Sequence, residues 1–316
     1  MALSRGLSRV FSREFNRTAC AGVTLVASAL LFGGRSACDD SDAGVHARAI
    51  ARHAYDFDWD AGRDAFSTAK EAGAVSNKYA SRFVVLMRHG QYVTRDKDDK
   101  TRILTPLGRR QVEASASYLL QRLRAHPFTA PCSSSSTTSD VADPQDAALV
   151  SQRAAAGVPD TVERIELVTS PLTRAMETSS IVLQSRLGQL CSNRDSIPIM
   201  DGLREDRPVP HHLRLAKSSQ PKPNPRHKAI EETFHHLFRR PSVDQARHTV
   251  TVVSGHANVI RYFVTRALQV DPSSWIGLQL PHASITIARI MKDGRVFLYC
   301  VGDSSGMAEQ GIVTYK

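Results

Sequence analysis

"FVVLMRHGQY", Phe83 to Tyr92, is the stretch on which the fold turns. A short apolar run of this kind reads as a buried strand. Strand exits usually carry Asp, Asn, Ser or Gly, which make the turn. Here the run meets Arg88, His89 and Gly90 at once, so two cationic groups stand where a turn was due. The pattern is then repeated. "RIELVTS" (164–170) and "HTVTVVSG" (248–255) read as further buried strands, and "SIPIM" (196–200) as a short third strand between them. Thr105-Pro106 has the form of an N-cap followed by proline at the first helical position, and predicts a helix running through Arg124. Ser170-Pro171 predicts a second helix in the same way, and "ANVIRYFVTRALQ" follows the 248–255 strand directly. "SITIARIM" and "RVFLYCV" read as a hairpin through Lys292-Asp293-Gly294. This alternation predicts a three-layer α/β/α fold with a mainly parallel central sheet. Ligands in such sheets sit at the carboxyl ends of the strands.

Each strand delivers chemistry to that end. The first brings Arg88 and His89, with Gly90 and Gln91 behind them. The second brings Ser170, with Arg174 one turn into its helix. The third is followed by Arg204-Glu205, and the last by Gly255, His256 and Ala257 at a helix start. Taken singly, each has a plainer reading. Glu205 could be a surface acid paired with Arg204 or Arg207, Arg174 a solvated helix residue, and His256 a satisfied core histidine. Repetition at every strand end favours one anion-binding site.

The bulk properties agree. The 316 residues carry 41 Lys and Arg against 31 Asp and Glu, a formal charge of +10. That balance favours phosphorylated substrates, nucleic acid or anionic lipid as partners. Aromatic residues make up only 6%, and no RNP-like or zinc-knuckle pattern is present, which argues against nucleic acid. Five scattered cysteines without a C-x-x-C give neither a zinc site of the usual spacing nor a disulfide framework. His211, His212, His235 and His236 fall in a Pro-rich loop and a helix, where adjacent positions do not share a face, so no metal site is expected.

The N-terminal region reads differently from the rest. Arg5, Arg9, Arg13 and Arg17 recur every fourth residue with apolar residues between them, so residues 1–17 resemble a mitochondrial targeting segment. Residues 18–34 are uncharged and predict a single transmembrane anchor, near the lower length limit for a span. A secretory signal peptide and an amphipathic surface segment are the competing readings. Residues 35–79 form a polar neck containing "YDFDWD", and 80–316 the catalytic domain. Within that domain about 129–160 reads as a disordered, serine-rich insertion. The basic loop 217–228 could recruit an acidic phosphopeptide or could simply be solvated.

"LMRHGQ", "LTPLGRRQ", "TSPLTRAMETS", "LRE" and "SGHANVIR" together resemble the histidine phosphatase, or phosphoglycerate-mutase-like, superfamily. "RHGQY", "LTPLG", "HANVIRYFVTRALQ", "SIT" and "GDSSGM" are more similar still to its branch of mitochondrial serine/threonine phosphatases, from about residue 80 to 313. The resemblance implies His89 as the nucleophile that takes the phosphoryl group, with Arg88, Arg174 and His256 holding its oxygens. It implies Glu205 as general acid and base, and no cofactor. Gly90, Gln91, Ser170, Gly255 and Ala257 would contact the substrate, the two glycines by letting the backbone approach closely. The chemistry agrees, because a neutral imidazole is a good nucleophile and neighbouring positive charge keeps it neutral. An arginine ~5 Å away at an effective dielectric of about 20 contributes roughly 3 kcal/mol, or about two pKa units downward. Guanidinium forks also match charge spread over phosphoryl oxygens better than lysine does.

The expected function is dephosphorylation of phosphoserine or phosphothreonine in proteins. A phosphoglycerate mutase or small-molecule phosphomonoesterase is the nearest alternative, although "QYVTRDKDD" departs from what mutases carry after R-H-G. A secreted acid phosphatase fits less well, because Ala257 stands where that group has an aspartate. "YDFDWD" resembles the element by which the mitochondrial branch multimerises, which makes Tyr55, Asp56, Trp59 and Asp60 candidates for homo-oligomer contacts and allows a scaffold role. The plainer reading of Trp59 is a side chain packed on its own domain.

Overall fold

The computed structural model describes residues 56, 58–73, 75, 79–95, 98–130, 144–211 and 224–315. The targeting-like segment, the expected anchor at 18–34, Tyr55, His212 and most of the basic loop therefore lie outside the described residues. Among the described residues no helix is long and apolar enough to cross a membrane.

Five strands form one sheet in the order β2-β3-β1-β4-β5. They are β1 (Ser81–Arg88), β2 (Val162–Thr169), β3 (His248–Gly255), β4 (Ile285–Met291) and β5 (Val296–Asp303). β2, β3 and β1 run parallel, while β4 is antiparallel to β1 and β5 to β4. β1 and β3 are buried on both faces, which is why their sequences run apolar without clean alternation. Alternate residues still serve different cores. Phe83, Val85 and Met87 join one cluster, and Val84 and Leu86 the other.

Helices cover both faces. On the first lie α2 (Pro106–Leu123) and, beyond β2, α4 (Thr173–Gln184), whose Val112, Leu119, Leu123 and Val182 fill the first cluster. On the second lie α6 (His227–Phe238) and α7 (Ala257–Ala267), contributing Ile230, Phe234, Phe263 and Ala267. The remaining helices are α1 (Arg63–Glu71), α3 (Pro144–Ala155) and two single turns, α5 (Arg186–Gln189) and α8 (Ser305–Ala308). This is the expected three-layer α/β/α arrangement with a mainly parallel sheet.

Three local expectations are corrected. "SIPIM" is no full strand: Ile199 makes one parallel bridge to Thr169, because Thr169 takes Pro198 and Met200 as backbone partners and pairing stops there. The stretch given as disordered, 129–160, contains α3, whose "PQDAALVSQRAA" opens with proline and is rich in helix formers. Its Ala156 and Val158 continue into the core, and only 131–143 of that stretch lies outside the described residues. Finally, Ser170-Pro171 does not cap α4. The helix begins at Thr173, whose N–H donates to Asp99 Oδ2 at 2.9 Å, so the cap comes from a distant 3-10 turn (Asp99–Thr101). Thr105, by contrast, caps α2 as expected and accepts from the Gly108 N–H at 3.0 Å.

The neck residues that are described fold back on their own chain. The Trp59 ring stacks on His235 at 6.0 Å and tilts against Phe234 at 5.5 Å, both on α6. Its Nε1–H donates to the Gly294 carbonyl in the β4–β5 turn. Asp60 accepts from Arg240 Nε at 2.8 Å, and that contact holds its carboxyl low although burial opposes the charge. Asp56 exchanges hydrogen bonds with Gln269. An exposed tryptophan in search of a partner copy is therefore not what the neck presents.

Candidate functional site

His89 sits just past β1, and its backbone is held from both sides. Its N–H donates to Gly255 O at 3.0 Å at the end of β3, and its carbonyl accepts from Ala283 N at 3.1 Å. The sheet ladder thus continues through the histidine and leaves it no backbone freedom. The ring Nδ1 lies 2.8 Å from the Gly90 carbonyl, which can only accept, so Nδ1 carries the proton. Nε2 then keeps its lone pair and accepts from Arg174 Nε at 3.3 Å. Burial first, and then His256, Arg88 and Arg174, push the His89 pKa well below its ordinary value. Desolvation outranks the arginine repulsion expected to dominate. The result at neutral pH is an uncharged imidazole whose unprotonated nitrogen meets the Arg174 N–H.

The surrounding groups come from the ends of β2 and β3 and from the 3-10 turn Asp201–Leu203. His256, fully buried, has its ring 5.0 Å from that of His89. Its Nε2 lies 2.8 Å from Ser170 Oγ, and its Nδ1 3.9 Å from Glu205 Oε2. Burial, then Arg174 and Arg88, also hold it neutral. Its Nδ1 is buried without a hydrogen-bond partner. Arg88 donates from Nη1 to the Leu280 carbonyl. Its pKa is lowered to about 10, mainly by burial, so it stays cationic at neutral pH. Arg174 is 3% exposed, pairs with Asp99 Oδ1 at 3.2 Å, and lies 4.8 Å above the Tyr92 ring.

A cavity of about 210 Å³ opens over this group, lined by Arg88, His89, Arg174, Glu205 and Ala257 from the expected set. The other expected contacts lie around it. Gly90, Gln91, Ser170 and Gly255 do not line the cavity, and each has another task. A Cβ on Gly90 would sit 2.4 Å from Gly108 O, so this glycine admits the start of α2. A Cβ on Gly255 would meet only Ile260, at 3.9 Å, so no close approach demands glycine there. Gln91 turns toward α2, where its Oε1 accepts from Thr105 Oγ1 and its N–H donates to Gln111. Ser170 is hydrogen-bonded to His256 Nε2.

Tyr92, Asn258, Arg261, Gln279, Leu280 and Tyr315 line the cavity and were not anticipated. Arg261 lay within reach of the sequence, since it stands one helical turn beyond Ala257 in "ANVIRYF". Tyr315 and Asp99 did not, because only the folded chain brings them there. Tyr315 follows Thr314, whose hydroxyl is held by Gln111 and His282. Among the described residues no group of three or more His, Cys, Asp or Glu side chains could hold a metal ion.

Buried guanidiniums around an unprotonated imidazole nitrogen form a site for a tetrahedral oxyanion. Known proteins similar to this chain identify its family. "Serine/threonine-protein phosphatase Pgam5, mitochondrial" from Drosophila ananassae is 30% identical over 235 residues, 73% of this chain and 66% of that protein. Its namesake in Drosophila erecta is 29% identical over 241 residues, 75% of this chain and 68% of that one. The chain thus spans about two thirds of the curated relatives it matches. Among solved structures, a mycobacterial hydrolase has a TM-score of 0.44 at 17% identity, covering 73% of this chain and 95% of its own. A mycobacterial glucosyl-3-phosphoglycerate phosphatase has a TM-score of 0.40 at 18% identity, covering 70% and 99%. The sequence model "Histidine phosphatase superfamily (branch 1)" matches residues 144–301, half of the chain, which carry Arg174, Glu205 and His256. By that match this chain, with His89 among the same groups, belongs to the histidine phosphatase superfamily.

Proposed function

We propose that the chain is a phosphoprotein phosphatase acting on phosphoserine and phosphothreonine through a phosphohistidine on His89. The observation that carries this reading is the divided His89 ring, with Nδ1–H given to Gly90 O and Nε2 left unprotonated, accepting from Arg174. In the first step the Nε2 lone pair forms the N–P bond while the ester P–O bond breaks. Glu205, on the rim of the same cavity, gives its carboxyl proton to the departing serine or threonine oxygen, which would otherwise leave as an alkoxide. Arg88, Arg174 and the Nδ1–H of His256 hold the equatorial oxygens. The ring becomes positively charged as it is phosphorylated, and the Gly90 carbonyl stabilises that charge through Nδ1–H. In the second step water gives a proton to Glu205 and its oxygen bonds phosphorus. The N–P bond breaks, phosphate leaves, and His89 returns to its neutral form.

The names of the relatives support serine/threonine phosphoproteins as substrates and a mitochondrial location, and the arginine-striped N-terminus supports the latter. The test offers the full chain a phosphothreonine peptide, 3-phosphoglycerate and 2,3-bisphosphoglycerate, with His89→Ala as the comparison. Phosphate release from the peptide, lost by more than about a thousandfold in the variant, is the expected result. Turnover of the phosphoglycerates alone would replace the protein substrate, and activity persisting in His89→Ala would remove the nucleophile.

A further inference from the structure

The cavity holds one more cation than a phosphoryl group needs. Arg88 and Arg174 face the nucleophile, but Arg261 enters from the second turn of α7 beside Ala257 and Asn258. Its Nη1 donates to Asn258 Oδ1 at 3.1 Å, which fixes the guanidinium plane, while its buried Nε has no hydrogen-bond partner. Glu205 and Arg88 both feel its charge, so it stands near both. In the empty site Glu205 offsets Arg261. When Glu205 is protonated to serve as the acid, that offset disappears while the guanidinium stays charged and half-buried. The two other arginines are already engaged by the phosphoryl oxygens. A second anion close to the phosphate would fill the vacated role, and a guanidinium fork suits a carboxylate.

We infer that Arg261, held by Asn258, is a specificity-determining residue that binds a carboxylate lying next to the phosphomonoester. The substrate is then a phosphopeptide with an acidic side chain near the phosphorylated residue. This inference rests on the phosphatase reading above. In an extended peptide, side chains two positions apart share a face at about 7 Å, which spans the distance from a phosphoryl pocket to its rim. A free carboxylate on a small phosphorylated acid offers the same chemistry.

The test compares two phosphothreonine peptides, one with aspartate two residues to either side and one with asparagine there, together with 3-phosphoglycerate. Because both peptides expel the same threonine oxygen, their comparison is blind to how well Glu205 works. The full chain should prefer the acidic peptide by about tenfold in kcat/KM, mostly through KM. Arg261→Gln should abolish that preference, and Arg261→Lys should keep part of it. Equal losses on both peptides would overturn the inference and make Arg261 a support for Glu205 or the phosphoryl clamp. An unchanged preference in Arg261→Gln would overturn it as well. If 3-phosphoglycerate alone loses affinity in Arg261→Gln, the carboxylate site stands and its source is a small acid rather than a peptide. Should neither peptide turn over in the unaltered chain, it is the phosphatase reading that fails.

Discussion

His89, His248 and His256 are all buried, and all are held in the neutral form. His248 shows the cost most plainly. Its Nδ1 accepts from Ser81 N–H at 3.1 Å, and its pKa is lowered to about 4, mainly by burial and then by Arg289. On unfolding, each of these rings returns to an ordinary value near 6.5, so the unfolded chain binds more protons than the folded one. Their contribution to stability is complete above that value. It is lost as pH falls from about 6.5 toward 4, at up to ~1.4 kcal/mol per pH unit for each histidine. Denaturant titrations at pH 7.5, 6.5 and 5.5 should give midpoints that fall slightly from the first to the second and more steeply to the third. A midpoint that rises on acidification would contradict the neutral assignment. The same burial keeps the His89 imidazole uncharged until well below neutrality.

The crossing of the β1 exit with the start of α2 depends on a pair of glycines. A Cβ on Gly108 would lie 1.9 Å from the Gln91 carbonyl, and one on Gly90 would lie 2.4 Å from the Gly108 carbonyl. Gly108→Ala must push α2 away from residues 89–91, which should cost about 1–3 kcal/mol and reduce kcat by displacing His89. Gly255→Ala meets only ordinary contact and should stay within about 0.5 kcal/mol of the parent. Thermal midpoints for the two variants check both statements, and similar losses would refute the crowding argument. Much at this scale was readable from the sequence. Apolar runs ending in Arg-His or Gly-His marked the strand ends, and Thr105-Pro106 marked α2. What escaped reading depended on partners remote in the chain. The α4 cap belongs to Asp99, 74 residues away, and α3 was masked by the serine-rich run beside it. Tyr92 and Tyr315 have no local pattern that separates a cavity wall from a surface. Gly90 and Gly255 look alike in the sequence, yet only one is crowded.

Across the whole molecule, the groups of the site are anchored to the middle of the sheet. β3 and β1 are its second and third strands, paired in register from Arg82↔Thr249 to Arg88↔Gly255, with β2 and β4 closing both sides. The neck adds a clasp on another part of the same unit, where Trp59 and Asp60 join α6, Arg240 and the β4–β5 turn. Both His89 and His256 directly follow central strands rather than standing on a long loop. Hydrogen bonds at the centre of a sheet are among the last to open, whereas frayed ends and loops open first. Warming should therefore leave catalysis intact until the protein melts as a whole, so heat inactivation and the calorimetric transition should share one midpoint. Activity fading several degrees earlier would reveal that something outside this central pair governs the working life of the enzyme.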